Sequence, residues 1–354
     1  MFLLPALFAL LTRGHRANRV TGVRSVKLDS AWLATATVLS LLIGFRLQVG
    51  GDWAHYFNYL SVVHNIELAE VLKMSDPGYL MLNWLSVQMD WGVFGVNLIS
   101  GTIFSIGLAV FCRSLPRPWL ALAVAIPYMV IVVSMGYTRQ AVALGLAMLG
   151  LVALERKSTL WFVIWVVLGA TFHKTAVLLL PIAALATTKN RYWTAAWVGV
   201  VTLSAFALLL QESVDTLYVG YIEAEYQSEG ALVRLLMNAL PAVLILLWRR
   251  RFRFAEAEAA LWQWFAIISL ALLGLLLLSP SSTAVDRVGL YMLPLQLVVF
   301  ANFPDVFGRR GRRNSGLVAG LLVYYAGVQF VWLNYASHAH AWVPYRNYSF
   351  EGLM

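Results

Sequence analysis

The sequence predicts an all-α polytopic membrane protein, and three observations carry that prediction. Of its 354 residues, 60% are hydrophobic and only 12% are charged, against roughly 25% charged in a soluble domain. Uncharged runs such as WLATATVLSLLIG, VNLISGTIFSIGLAVF and LWQWFAIISLALLGLLLL approach the ~20 apolar residues that a helix needs to cross hydrocarbon. The runs are continuous and not alternating, which excludes a transmembrane barrel.

Taken in order, the apolar segments predict about twelve spans, some of them short or re-entrant. They lie near residues 1–12, 31–49, 93–112, 118–136, 139–154, 159–172, 174–187, 193–211, 232–248, 258–279, 288–303 and 316–334. The opening stretch MFLLPALFALLTRGHR carries its charges after the apolar residues. A signal peptide carries them before, so this is read as a retained, short first span. The net charge of +9 is the excess of cytoplasmic Lys and Arg expected of a membrane protein, with no nucleic-acid partner implied. The single Cys112 leaves no intrachain disulfide and no cysteine metal cluster.

Segment 160–186 decides the topology. As one span it would move Lys189, Arg191 and the arginines of 249–253 and 309–313 to the outside. As a hairpin turning at His173–Lys174 it keeps them inside, as the positive-inside rule prefers. With the hairpin, the outward basic residues are Arg46, Lys73, Arg139, Lys174, Arg234, Arg287 and Arg346. The chain is then one integral membrane domain, 1–354, with three extracytoplasmic pieces: 50–92, 211–231 and 335–354. The first holds two amphipathic interfacial helices. Asp52 is placed to cap one, whose Trp53, Tyr56, Phe57, Leu60 and Val63 share a face. Asp76-Pro77 starts the other, which carries Leu80, Met81, Trp84 and Leu85. The tail at 335–354 has the look of a mobile segment.

The outward cations are the informative residues. An ionised group at membrane depth costs several kcal/mol unless paired or hydrated, so it is a functional candidate. Arg139 in GYTRQA and Arg287 in VDRVGLY end apolar spans. A planar guanidinium takes phosphate through two parallel hydrogen bonds. Arg139, Arg287, Arg46 and Arg234, with Lys174, are candidate pyrophosphate ligands; for the four arginines the competing reading is snorkelling to headgroups. His173 in TFHKT is the best general-base candidate, or else a packing histidine at a turn. Asp52 is a helix cap, or else it orients a sugar hydroxyl or pairs with an outward Arg, and Gly50-Gly51 before it would let a ligand approach the backbone. Asp286 reads as the ion-pair partner of its neighbour Arg287. Glu223 and Glu225 read as a solvated loop, since no His or Asp accompanies them. There is no P-loop, dinucleotide glycine fingerprint or serine-elbow motif. A donor reaching an outward site must arrive already activated on a lipid.

Six short motifs run in order along the chain: G-G-D-W-x-x-Y at 50–56, D-P-G-Y at 76–79, M-G-Y-x-R-Q at 135–140, F-H-K-x-A at 172–176, D-R-x-x-x-Y at 286–291 and W-x-P-Y at 342–345. In these the chain resembles the EpsG family of Wzy-type polysaccharide polymerases. The resemblance implies a GT-C-like membrane glycosyltransferase of the bacterial inner membrane, with its site facing the exterior. Its substrates would be undecaprenyl-pyrophosphate-linked oligosaccharides, among membrane lipid, and a chain-length co-polymerase is an expected partner. Inversion by direct displacement, with no metal and no cofactor, is the implied chemistry. Arg139, Arg287, Arg46 and Arg234 would neutralise the leaving pyrophosphate, and His173 or Asp52 would activate the acceptor hydroxyl. Trp53, Tyr56, Tyr79, Trp84, Tyr137, Tyr291 and Tyr345 would meet sugar or lipid. The rival readings are a flippase for the same lipid-linked sugars, a membrane O-acyltransferase using His173, and an O-antigen-type ligase.

Overall fold

The structure is a computed structural model that describes residues 1–14, 27–186, 191–209, 228–279 and 281–353. The expected acidic loop, including Glu223 and Glu225, lies largely outside the described residues, as do Arg16, Arg19, Arg24 and Lys189. The described residues are helical throughout and contain no strand; one isolated antiparallel bridge joins Arg46 to Asn347.

A helical segment stands at each expected span. Among the described residues, four helices are long and apolar enough to cross a membrane: Gly92–Ser114, Thr138–Glu155, Glu256–Leu276 and Ser315–Tyr335. Ser282–Met292 and Pro294–Phe307 make a fifth if counted together, bent by 43°. The remaining apolar helices are shorter, among them Ser30–Gly44, Thr159–Ala170 and Ala231–Leu247. Prolines mark several starts, at Pro77, Pro118 and Pro294, where a missing N–H costs nothing. Asp29 caps Ser30–Gly44 through the Trp32 N–H at 3.1 Å.

Close helix approach explains the centre of the core. A Cβ on Gly107 would lie 2.2 Å from the Gly145 carbonyl oxygen, so the 92–114 and 138–155 helices touch backbone to backbone there. On its other side the 92–114 helix meets Ser30–Gly44, where Gly44 sits against Leu98 and Gly101 against Ile43. Small residues at crossings are what membrane helices use to gain packing area. At the arginine-rich end, Arg117 donates to both carboxylate oxygens of Asp305 at 2.9 and 3.0 Å and to the carbonyls of Arg312 and Arg313. That ties the 118–134 segment to the loop following the 294–307 helix.

At the opposite end, Trp53–Val63 and Pro77–Gln88 pack on one another and against the 92–114 helix. Leu80 is buried beneath them with Val63 and Val71, while Met81 and Leu85 are exposed. The tail is not loose. Leu47 N–H donates to the Arg346 carbonyl, Tyr348 N–H to that of Phe45, and Gly50 N–H to that of Ala341. Segment 339–350 is thus strapped onto residues 45–50.

The 118–134 segment changes its winding midway. Pro118–Ala125 is α-helical and Ile126–Ser134 is a π-helix, a conformation concentrated at functional sites. Nine residues of α-helix make two and a half turns of about 3.6 residues each, which would put Tyr128 and Tyr137 on opposite faces. The wider π turn and the break at Tyr137 bring both to one cavity.

Candidate active site

That cavity has a volume of about 1020 Å³ and reaches Gly51 and Asp52, just before the 53–63 helix. Its walls come from the π-helix and from the Ala231–Leu247 and Ser315–Tyr335 helices. One part is polar, with Asp52, Tyr137, Ser228, Arg234, Arg287 and His338. The other is an apolar trough, with Val233, Leu236, Leu240, Val328, Val331 and Trp332. Several trough residues are also exposed on the helix surfaces, Val233, Leu236, Leu240 and Val331 among them. Asp52 precedes the 53–63 helix but makes no capping hydrogen bond; its residue lines the cavity instead.

The two arginines of the polar part differ in what holds them. Arg234 is bound to Asp286 through Nε–Oδ1 at 2.6 Å and Nη2–Oδ2 at 2.7 Å. Ser228 Oγ closes the triangle, donating to Asp286 Oδ2 at 3.0 Å and accepting from Arg234 Nη2 at 2.5 Å. This corrects the expectation that Asp286 would pair with Arg287. Adjacent residues on a helix point about 100° apart, so Asp286 turns toward the 231–247 helix while Arg287 faces the cavity. Arg287 stacks on Tyr137, with Cζ 4.3 Å from the ring centroid, and has no carboxylate partner among the described residues. Gln140 Nε2 donates to the Arg287 carbonyl at 2.6 Å and fixes that backbone.

A second constellation adjoins this one. Helix Thr159–Ala170 ends, the chain turns, and a 3₁₀ segment begins at Lys174; His173 sits in that turn. Its Nδ1 lies 2.6 Å from Thr175 Oγ1 and 3.5 Å from the Tyr291 hydroxyl. Burial, then the charges of Arg139, Arg287 and Lys174, push its pKa down to about 3. Arg139 is held by Asp76, Nη1 to Oδ2 at 2.6 Å, and lies over the Tyr59 ring at 5.1 Å. Asp76 Oδ1 accepts from the Lys174 N–H at 3.2 Å. The carboxylate therefore joins the 77–88 helix to both Arg139 and the His173 turn. Asp76 has φ of +56°, a left-handed backbone that Asp tolerates better than most residues. Gly78 packs against Thr171, since a Cβ would come 2.4 Å from Thr171 Oγ1.

Other expected site residues stand elsewhere. Arg46 is fully buried, 0% exposed, and its guanidinium donates to the carbonyls of Ile43 and Val49, to Asn97 and to Thr138. The Tyr56 hydroxyl accepts from Thr138 N–H at 2.9 Å and donates to the Gly136 carbonyl at 3.2 Å, capping the 138–155 helix. Trp53 packs with Phe57 and Phe94, and Tyr79 with Tyr56 and Tyr59. Trp84 donates to the Ile66 carbonyl and Tyr345 to that of Leu42. Gly50, at φ +107°, leaves room for the protein's own backbone: a Cβ there would lie 2.2 Å from the Met135 carbonyl oxygen. No ligand is needed to explain that glycine.

Sequence reasoning passed over Asp76, Tyr128 and Trp342 as site residues. Asp76 had a signal, an acid set just before a helix-starting proline, but only the fold reveals its partner 63 positions away. Trp342 lines the cavity, donates Nε1 to the Ile131 carbonyl at 2.8 Å and packs edge-on to Trp332. Tyr128 gave no signal beyond the proline before it.

The fold and its cavity define a polytopic helical membrane protein with an amphipathic, arginine-bearing site. The chain belongs to the EpsG family, whose model matches residues 31–347, nearly the whole chain; this is a family of Wzy-type polysaccharide polymerases. No curated protein and no solved structure matches it.

Proposed function

We propose that the protein is a GT-C-like membrane glycosyltransferase with about twelve spans that polymerises lipid-linked oligosaccharide repeats. It would act at the outer face of the bacterial inner membrane. The growing glycan passes from undecaprenyl pyrophosphate to the non-reducing end of a new lipid-linked repeat. The observation that carries this reading is the cavity: an apolar trough that suits a polyprenyl chain, leading to Arg287 without a carboxylate partner among the described residues.

In the proposed reaction the acceptor hydroxyl oxygen bonds to the anomeric carbon as the bond from that carbon to the pyrophosphate oxygen breaks. The electron pair leaves with undecaprenyl pyrophosphate and the configuration inverts. Arg287 and Arg139 neutralise the charge that develops on the leaving group, the electrostatic stabilisation that dominates many transition states; the positive charge stands in for a metal ion. With Nδ1–H donated to Thr175, His173 Nε2 keeps a lone pair for the acceptor proton. Free His173 is a weak base because it is buried and because cations surround it. Binding of a pyrophosphate beside Arg139 and Arg287 offsets those cations and raises its basicity, so donor binding would prepare the base. Arg234, spent on Asp286, supports the 231–247 wall, and Arg46 braces residues 43–49 against Asn97 and Thr138.

The test is a glycan profile of a gene-deletion strain, resolved by repeat number. Surface display of single repeats without a ladder supports the polymerase. Loss of even the single repeat from the surface would favour a flippase and sink the proposal.

A further inference from the structure

Buried polar atoms nearly always have partners, because an unpaired hydroxyl out of water costs a few kcal/mol. Several buried atoms break that rule among the described residues, including the Tyr79 and Tyr128 hydroxyls, Ser105 Oγ, Asn97 Nδ2 and Gln140 Oε1. Of those without a partner among the described residues, Tyr128 is the one on the cavity wall. It is 3% exposed, it stands on the π-helix, and Arg234 and Arg287 line the same cavity. Val132, one turn further along, also lines the cavity.

We propose that the Tyr128 hydroxyl, without a partner among the described residues, is a ligand-contacting donor that donates to a phosphate oxygen of the lipid-linked substrate. This rests on the cavity being the pyrophosphate-lipid site proposed above. Two features point to phosphate rather than sugar: the arginines Arg234 and Arg287 in the same cavity, and the apolar residues, Val132 among them, that line it beside Tyr128. The unusual winding has a role in this account, since it sets Tyr128 and the Arg287-stacked Tyr137 on the same wall.

The idea makes opposite demands on stability and binding. Removing an unsatisfied buried hydroxyl should leave the free protein as stable or make it more so. Removing a donor to a charged oxygen should weaken binding by about tenfold or more. The experiment titrates undecaprenyl pyrophosphate, and separately undecaprenol, onto the intact wild-type protein and Y128F in lipid nanodiscs, with melting temperatures of the ligand-free forms. The expected result is that Y128F binds the pyrophosphate about tenfold more weakly, binds undecaprenol like wild type, and melts no lower. Equal pyrophosphate binding by both proteins overturns the role of Tyr128 and leaves the donor reading standing. A lower melting temperature with parallel loss for both lipids makes the hydroxyl a packing element and also overturns it. Wild type that fails to bind the pyrophosphate overturns this inference and the donor reading together.

Discussion

Asp286 reaches across to Arg234, 52 positions earlier, with both carboxylate oxygens engaged at 2.6 and 2.7 Å, and leaves its neighbour Arg287 to Tyr137. The two arginines of one cavity are thereby given different work. Arg287→Ala should keep the protein folded and lower turnover by about 10²–10³, the usual cost of deleting one charge-stabilising donor. Arg234→Ala strands a buried carboxylate and should destabilise the fold by about 3–5 kcal/mol. Polymer assays paired with melting curves separate the two. Equal destabilisation by both variants would show that Arg287 is structural as well.

The Asp76–Arg139 pair makes a sharper test. Arg139→Ala should abolish polymer, yet it also leaves Asp76 buried without its cation, at about 1–3 kcal/mol. The double variant D76N/R139A should recover that stability and stay inactive. If the double variant polymerises normally, the guanidinium has no part in the chemistry.

His173 gives a pH signature. Its pKa is pushed down to about 3 in the free protein, so the neutral, proton-accepting form persists far below the usual imidazole range. Since kcat/KM reports the free enzyme and kcat the bound one, the acid limb of kcat should lie at higher pH than that of kcat/KM. Below pH 6.5 the unfolded chain binds the proton that the folded protein refuses, so this group lowers stability as pH falls from there toward 3. Coincident acid limbs would remove the idea that donor binding raises His173's basicity.

Gly136 faces the Trp342 ring so closely that a Cβ would come 2.4 Å from Cζ2. Gly136→Ala should cost about 1–3 kcal/mol through overpacking, and Trp342→Ala about 3–5 kcal/mol through lost burial. Denaturant midpoints of the purified protein check both. A neutral Gly136→Ala would mean that the tail can retreat without cost.

Local signals read well from the sequence. The apolar runs located the helical segments, and Pro77 located a helix start, because both depend on neighbours in the chain. Pairings across the fold did not read, since spacing constrains only residues three or four apart on a helix. The sequence offered Arg287 as the natural partner of Asp286, and only the approach of the 231–247 helix brings Arg234 closer. Arg46 and Arg139 look alike as outward charges at the ends of apolar segments, yet one is enclosed by four acceptors and the other remains partly open. The aromatics Trp53, Tyr56 and Tyr79 looked like a sugar platform because composition records the rings and not the side they face. The change to π winding left no mark beyond Pro127.

The strap between residues 45–50 and 339–350 bears on how such a protein is made. The ribosome delivers the glycine loop early and the tryptophan that walls it only after every longer helix has been threaded into the bilayer. A nascent chain can therefore hold all its helices and still lack a finished chamber. The part of the wall that Trp342 supplies is added only when synthesis has passed that residue.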